Sequence, residues 1–139
     1  MGGYSFIDHT GDIGIKIYGE TLEELFRQGA MAMFEVISGD LSRIRGEIGR
    51  DIHVEGEDME RLLVSWLSEL NYLFNVKGEL YSAFDVHRVG DGFADAKVWG
   101  ERIDPERHFI RTEIKAVTYH GIYVKRVGDI WEAQIIFDV

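Results

Sequence analysis

Apolar and polar residues alternate with a period of two at both ends of the chain and with a period near 3.6 in two blocks between them. Tyr4 to Ile7 and Ile13 to Tyr18 read as two short strands, the second because Ile15 and Ile17 alternate with Lys16 and Tyr18. Leu22, Leu25, Phe26, Met33, Phe34 and Ile37 then recur at helical spacing, with Glu23, Glu24, Arg27, Gln28 and Glu35 mostly between them. Thr21-Leu22-Glu23-Glu24 is a capping-box pattern that starts this helix at Thr21, and Gly39 stops it. Gly29 and Ala30 let the helix lie close to a sheet.

Ile48 to Glu55 predicts a strand with Ile48, Ile52 and Val54 on one face. Gly56-Glu57-Asp58 opens a second helix with acidic groups at its positive end, and Lys77-Gly78 closes it. Its buried stripe is Leu62, Leu63, Trp66, Leu67, Leu70, Leu73 and Phe74, which makes Trp66 a core residue. Beyond Leu80 the pattern returns to strands: one carrying Leu80, Phe84 and Val86, then Phe93 to Trp99 after the turn Gly90-Asp91-Gly92. Glu101 to His108 reads as a polar connection holding Pro105, and Ile114 to Lys125 as a long strand. Val127-Gly128-Asp129 turns the chain back into a last strand, Ile130 to Val139. The order ββα, βα and four strands predicts a single α+β domain over residues 1–139, with two main helices on a mixed or antiparallel sheet.

Composition narrows the function more than the fold. No apolar run approaches the ~20 residues of a membrane helix, and the N-terminus has no signal-peptide pattern, so no membrane partner is expected. The absence of cysteine excludes disulfides, thiolate zinc sites and cysteine nucleophiles, and fits a cytoplasmic setting. A formal net charge of −10 repels a phosphate backbone. No stable direct binding of nucleic acid is therefore expected, and cations or a protein partner are favoured.

Two clusters carry candidate chemistry. In Asp8-His9-Thr10-Gly11-Asp12 the carboxylates of Asp8 and Asp12 offer hard oxygens, and His9 offers a metal ligand or a group titrating near neutrality. On the last strand Trp131, Ala133, Ile135, Phe137 and Val139 share one face, which turns Asp138 to the other. An α-carboxylate at Val139 would add a second anionic group beside Asp138. If that end lies near Asp12, three or four oxygens converge, the chemistry of Ca²⁺ or Mg²⁺. The second cluster, Lys115-Ala116-Val117-Thr118-Tyr119-His120, places Lys115, Val117 and Tyr119 on one strand face and Ala116, Thr118 and His120 on the other. Asp8, Asp12, His9 and His120 together imitate a small metal-dependent hydrolase. Yet no nucleophile elbow, phosphate-cradling glycine loop or zinc helix accompanies them.

Three ordered motifs resemble those of the archease family. Asp8-His9-Thr10-Gly11-Asp12-Ile13, followed by Gly19 and Thr21-Leu22-Glu23-Glu24-Leu25-Phe26, is similar to its N-terminal signature. Glu113 to His120 is similar to a second signature, and Ile136-Phe137-Asp138-Val139 to the terminal motif. Gly11 departs from the usual alanine and adds backbone freedom beside Asp12 without removing a functional group. The resemblance implies an α+β fold of duplicated small modules. It also implies a non-catalytic protein cofactor that activates an RtcB-type tRNA-splicing RNA ligase, promoting its guanylylation and repeated turnover and broadening its use of nucleotides. It further implies a divalent metal, usually Ca²⁺ (with Mg²⁺ or Mn²⁺ as alternatives), held by Asp12, Asp138 and Val139. Asp8, His9, Lys115 and His120 match motif positions as a further functional surface. The small hydrolase and a general chaperone of nucleic-acid-processing proteins stand as the alternatives, and oligomeric state is left open.

Overall fold

The computed structural model describes residues 2–9 and 11–139, without the side chains of Asp8 and His9. Two strands, Gly3–His9 (β1) and Asp12–Gly19 (β2), precede the helix Leu22–Ser38 (α1) and a single 3-10 turn, Leu41–Arg43. Then follow Ile48–Glu55 (β3), the helix Met59–Lys77 (α2), Glu79–Val89 (β4), Phe93–Arg102 (β5), Ala116–Val127 (β6) and Ile130–Asp138 (β7). The α+β class read from the order of elements is the class observed.

Helix ends sit where their capping chemistry places them. Thr21 is extended and its Oγ1 accepts from the Glu24 N–H at 3.0 Å, while the Glu24 carboxylate accepts from Gln28 Nε2 at 2.7 Å rather than from the cap. Asp58 accepts from the Arg61 N–H at 2.8 Å, and Gly78, left-handed at φ 67°, donates to the carbonyls of Leu73 and Phe74.

The strands divide into two antiparallel sheets, ordered β1-β2-β7-β6 and β3-β5-β4. Both helices touch strands of both sheets, so one core serves the whole chain. Ile15, Ile17, Ala133, Ile135 and Phe137 enter it from the first sheet, and Leu80, Phe84, Ala96 and Val98 from the second. A Cβ on Gly29 would lie 3.1 Å from Ile17 Cδ1, which is why α1 approaches β2 so closely at this point. Trp66 is fully buried and its Nε1 donates to the Phe26 carbonyl at 2.8 Å, tying α2 to α1.

Two expectations about the later strands change. Glu101 belongs to β5 and not to a polar connection, and its carboxylate is buried beside the buried His108. Burial is tolerated because the carboxylate accepts from the Arg45 N–H at 2.6 Å, from Arg107, and from His108 Nε2 at 3.1 Å. The long strand expected from Ile114 begins at Ala116, two residues later than its apolar pattern starts. Ile114 is buried, but its carbonyl accepts from Asn71 and Asn75 of α2 and so lies outside the ladder. Within β6 the register shifts between Thr118 and Tyr123, around Gly121 at φ 59°, and the two-residue alternation of faces lapses there.

Candidate functional site

The opening polar cluster closes the β1–β2 hairpin, with His9 opposite Asp12 in the ladder. Gly11 takes a φ of 73°, a left-handed conformation that an alanine enters only under strain, so the glycine suits this turn. Asp12 is then the first residue of β2 and stands directly opposite Asp138, the last residue of β7.

Residues opposite each other in an antiparallel pair share a face, with Cβ atoms about 4.5–5.5 Å apart. The next pair, Ile13 and Phe137, turns the other way, and Phe137 is fully buried in the core. The two carboxylates therefore sit together on the outer face of the sheet at one end. Asp138 is exposed. Its strand is held by the Lys115 N–H, which donates to the Asp138 carbonyl at 2.7 Å. Val139 packs its side chain against the core, which leaves its backbone carboxyl position beside Asp138. Asp12 also lines a cavity of about 260 Å³ with Phe6, Ile7, Glu35 and Arg111.

Like charges in cross-strand register repel, and carboxylates set opposite each other in this way are the chemistry a divalent cation suits. The donors are hard oxygens: two side-chain carboxylates and, where the chain ends at Val139, a terminal carboxylate. That set fits Ca²⁺ or Mg²⁺, whose remaining positions would fall to water or to groups of a partner. No cluster of three or more His, Cys, Asp or Glu side chains suited to a metal occurs among the described residues. Asp12 and Asp138 are therefore the two carboxylates of the expected set that the β2–β7 register brings together.

The other motif residues divide. Lys115 adjoins the pair through its backbone, with its side chain exposed beside a groove lined by Asn71, Tyr72 and Asn75. His120 is exposed and lies in the irregular part of β6. Ala116 is the residue opposite Asp138, so His120 is four positions, or about 13 Å of strand, away along the chain. The ladder does not set His120 opposite Asp12 or Asp138. The side chains of Asp8 and His9 lie outside the described residues.

Two buried carboxylates escaped the sequence reading. Glu79 receives Arg50 in a two-pronged contact, Nε to Oε1 at 2.5 Å and Nη2 to Oε2 at 2.6 Å, and also the Tyr81 hydroxyl. The guanidinium of Arg50 holds the Glu79 carboxyl below the usual carboxylate range. For Glu101, burial pushes the carboxyl upward, but donation from the Arg45 N–H, Arg107 and His108 outweighs it and the net shift is downward. One signal was available: Arg50 falls in phase with Ile48, Ile52 and Val54, on the face that turns inward.

Comparison with known proteins places this geometry in a family. The model of the Archease protein family matches residues 4–139. The archease of Pyrococcus furiosus is 43% identical over 95% of this chain and 95% of its own, and that of Methanosarcina mazei is 41% identical over 98% and 95%. A Methanobacterium thermoautotrophicum protein solved in solution shares 33% identity and a TM-score of 0.80, covering 99% of both chains. The crystal structure of a Thermotoga maritima archease, described as a possible chaperone, superposes with a TM-score of 0.65 over 96% of this chain and 94% of its own. At 24% identity, that second likeness speaks for the fold alone. From the hairpin motif to the paired aspartates at the end of β7, this chain belongs to the archease family.

Proposed function

We propose that this chain is a cytoplasmic, non-catalytic protein cofactor of an RtcB-type tRNA-splicing RNA ligase, which it activates for guanylylation and sustains through repeated turnover. The observation that carries the reading is the register of Asp12 against Asp138, two carboxylates held opposite each other at a sheet end. Family membership over nearly the whole chain supports it, as does a net charge of −10, which suits docking near a basic nucleotide site on another protein. Among the described residues no helix is long and apolar enough to cross a membrane.

Asp12 and Asp138 would hold a divalent cation, joined by the α-carboxylate of Val139 where the chain ends there. Bound, such an ion supplies Lewis-acid neutralisation of phosphate oxygens. The chain's own residues do the positioning. The β2–β7 ladder fixes the two carboxylates on one face, Gly11 lets the hairpin close over Asp12, and Lys115 holds the Asp138 backbone through its N–H. The partner supplies the remaining ligands and the reacting histidine, so the chemistry takes place on the ligase. Asp8, His9 and His120 belong to the surface around the site. The hydrolase reading loses support because His120 lies down the strand from Asp12.

The test is a guanylylation time course of a purified cognate ligase with and without this protein. Wild-type protein accelerates it, and Asp12→Ala and Asp138→Ala lower the acceleration while keeping the fold. Full activation by both variants would remove the metal-site part of the proposal, and no acceleration by the wild type would remove all of it.

A further inference from the structure

Another concave surface of the molecule has the opposite character to the aspartate pair. Arg43, Arg45, Arg107 and Arg111 line two adjoining cavities of about 630 and 190 Å³, which share Arg43, Arg107, His108 and Phe109. Only Asp40 and Glu106 among the lining residues are acidic, and the Asp40 carboxylate is occupied by Ser42, accepting from its N–H at 3.0 Å and its Oγ at 2.6 Å. The groove is therefore locally basic on a chain whose net charge is −10. Arg107 is committed to Glu101 and Asp104 and Arg45 lies 3.9 Å from Glu47 in an exposed, loose pair, whereas Arg43 and Arg111 form no ion pair among the described residues. Phe109 stands at the junction of the two cavities with 77% of its surface exposed.

The walls are fixed rather than loose. His108 is buried, accepting the Asp104 N–H on Nδ1 at 2.9 Å and meeting Glu101 through Nε2. The Arg111 N–H donates to the Ile37 carbonyl at 2.7 Å, and Ile44 is buried behind Arg43. Guanidinium groups and an exposed aromatic ring are thus presented on a rigid frame. Spaced guanidiniums pair with successive phosphates, and a ring standing clear of the surface gives a base a face to stack on. An acidic peptide would use the arginines and leave Phe109 idle.

We propose that this groove binds single-stranded RNA, with Arg43, Arg45 and Arg111 on phosphates and Phe109 stacking a base. Arg111 also lines the cavity that contains Asp12, so the groove and that cavity adjoin at Arg111. The repulsion expected from the overall charge keeps the binding weak and salt-sensitive but does not cancel a local basic track. The choice of RNA rests on the ligase reading above, but the measurement needs no ligase, so each proposal fails separately.

The experiment is fluorescence anisotropy of a labelled single-stranded RNA of about 12 nucleotides, titrated with the full chain over a range of salt. Saturable binding is expected, with log affinity falling against log salt at a slope of about −2 for three phosphate contacts. The double variant R43E/R111E should lose at least about tenfold in affinity, while R43K/R111K keeps most of it, with both matching the wild-type circular dichroism spectrum. Phe109→Ala should lose about fivefold with the salt slope unchanged. The proposal is overturned by absence of saturable binding at about 50 mM salt. It is equally overturned by indifference to R43E/R111E, or by polyglutamate competing as well as unlabelled RNA.

Discussion

Replacing Asp138 by Asn removes one of two like charges while keeping the shape of the side chain and the backbone bond that Lys115 makes to it. At the cross-strand spacing of about 5 Å, two unit charges repel by about 0.8 kcal/mol in bulk water and about 3 kcal/mol at an effective dielectric of 20. Asp138 is exposed, which puts the cost near the lower figure, about 1 kcal/mol. With an unfolding entropy of about 0.3 kcal/mol/K for 139 residues, Asp138→Asn should melt about 3 °C above the wild type in the presence of a chelator. A cation at a hundredfold excess over its Kd adds about 2.7 kcal/mol, or about 9 °C, to the wild type. The variant should lose most of that rise. Circular dichroism melts in chelator and in excess Ca²⁺ measure both effects, and about 1 M salt should erase the first by screening. A variant that melts below the wild type in chelator, or an equal Ca²⁺ shift in both proteins, would refute the argument that the pair is a strained cation site.

Four further outcomes are expected. A Cβ on Gly100 would lie 1.8 Å from the Leu80 carbonyl oxygen on the neighbouring strand, so Gly100→Ala should cost more than about 4 kcal/mol in urea unfolding or prevent folding. Glu101→Gln should cost about 3 kcal/mol by the same assay, because it breaks a buried ionic contact and leaves Arg107 with Asp104 alone. Glu79 and Glu101 are both held below their ordinary value of 4.5, so they stabilise the fold above that pH, and the gain drains away as pH falls through their folded-state values. Urea midpoints from neutral to acid pH should therefore decline less steeply in Glu101→Gln than in the wild type. Exposed His53, between Glu55 and Asp95, is raised above 6.5 first by Glu55 and then by Asp95. An NMR titration should show that rise and its partial loss in Asp95→Asn; the stability it lends is full in acid and fades as pH climbs through the raised value. An unshifted His53 would contradict the contact geometry.

Much of the molecule is local and therefore legible in the chain. Thr21, Asp58, Gly39 and Gly78 bound the helices because a cap is decided within a few residues, and the stripe from Leu62 to Phe74 identifies its buried face by period alone. The types of Asp12 and Asp138, and the outward turn of Asp138, also follow from spacing. Their meeting does not. Residues 12 and 138 are opposed only because β7 pairs with β2 and not with its neighbour in sequence alone, and that pairing is chosen by which apolar faces complete a common core. The same holds for the division of strands into two sheets, for the burial of Glu79 and Glu101 against Arg50, Arg107 and His108, and for the groove that gathers Arg43, Arg45, Arg107 and Arg111 from two distant loops. Helix ends and faces are short-range choices of the backbone, whereas charge partners are assigned by burial that only the assembled core creates.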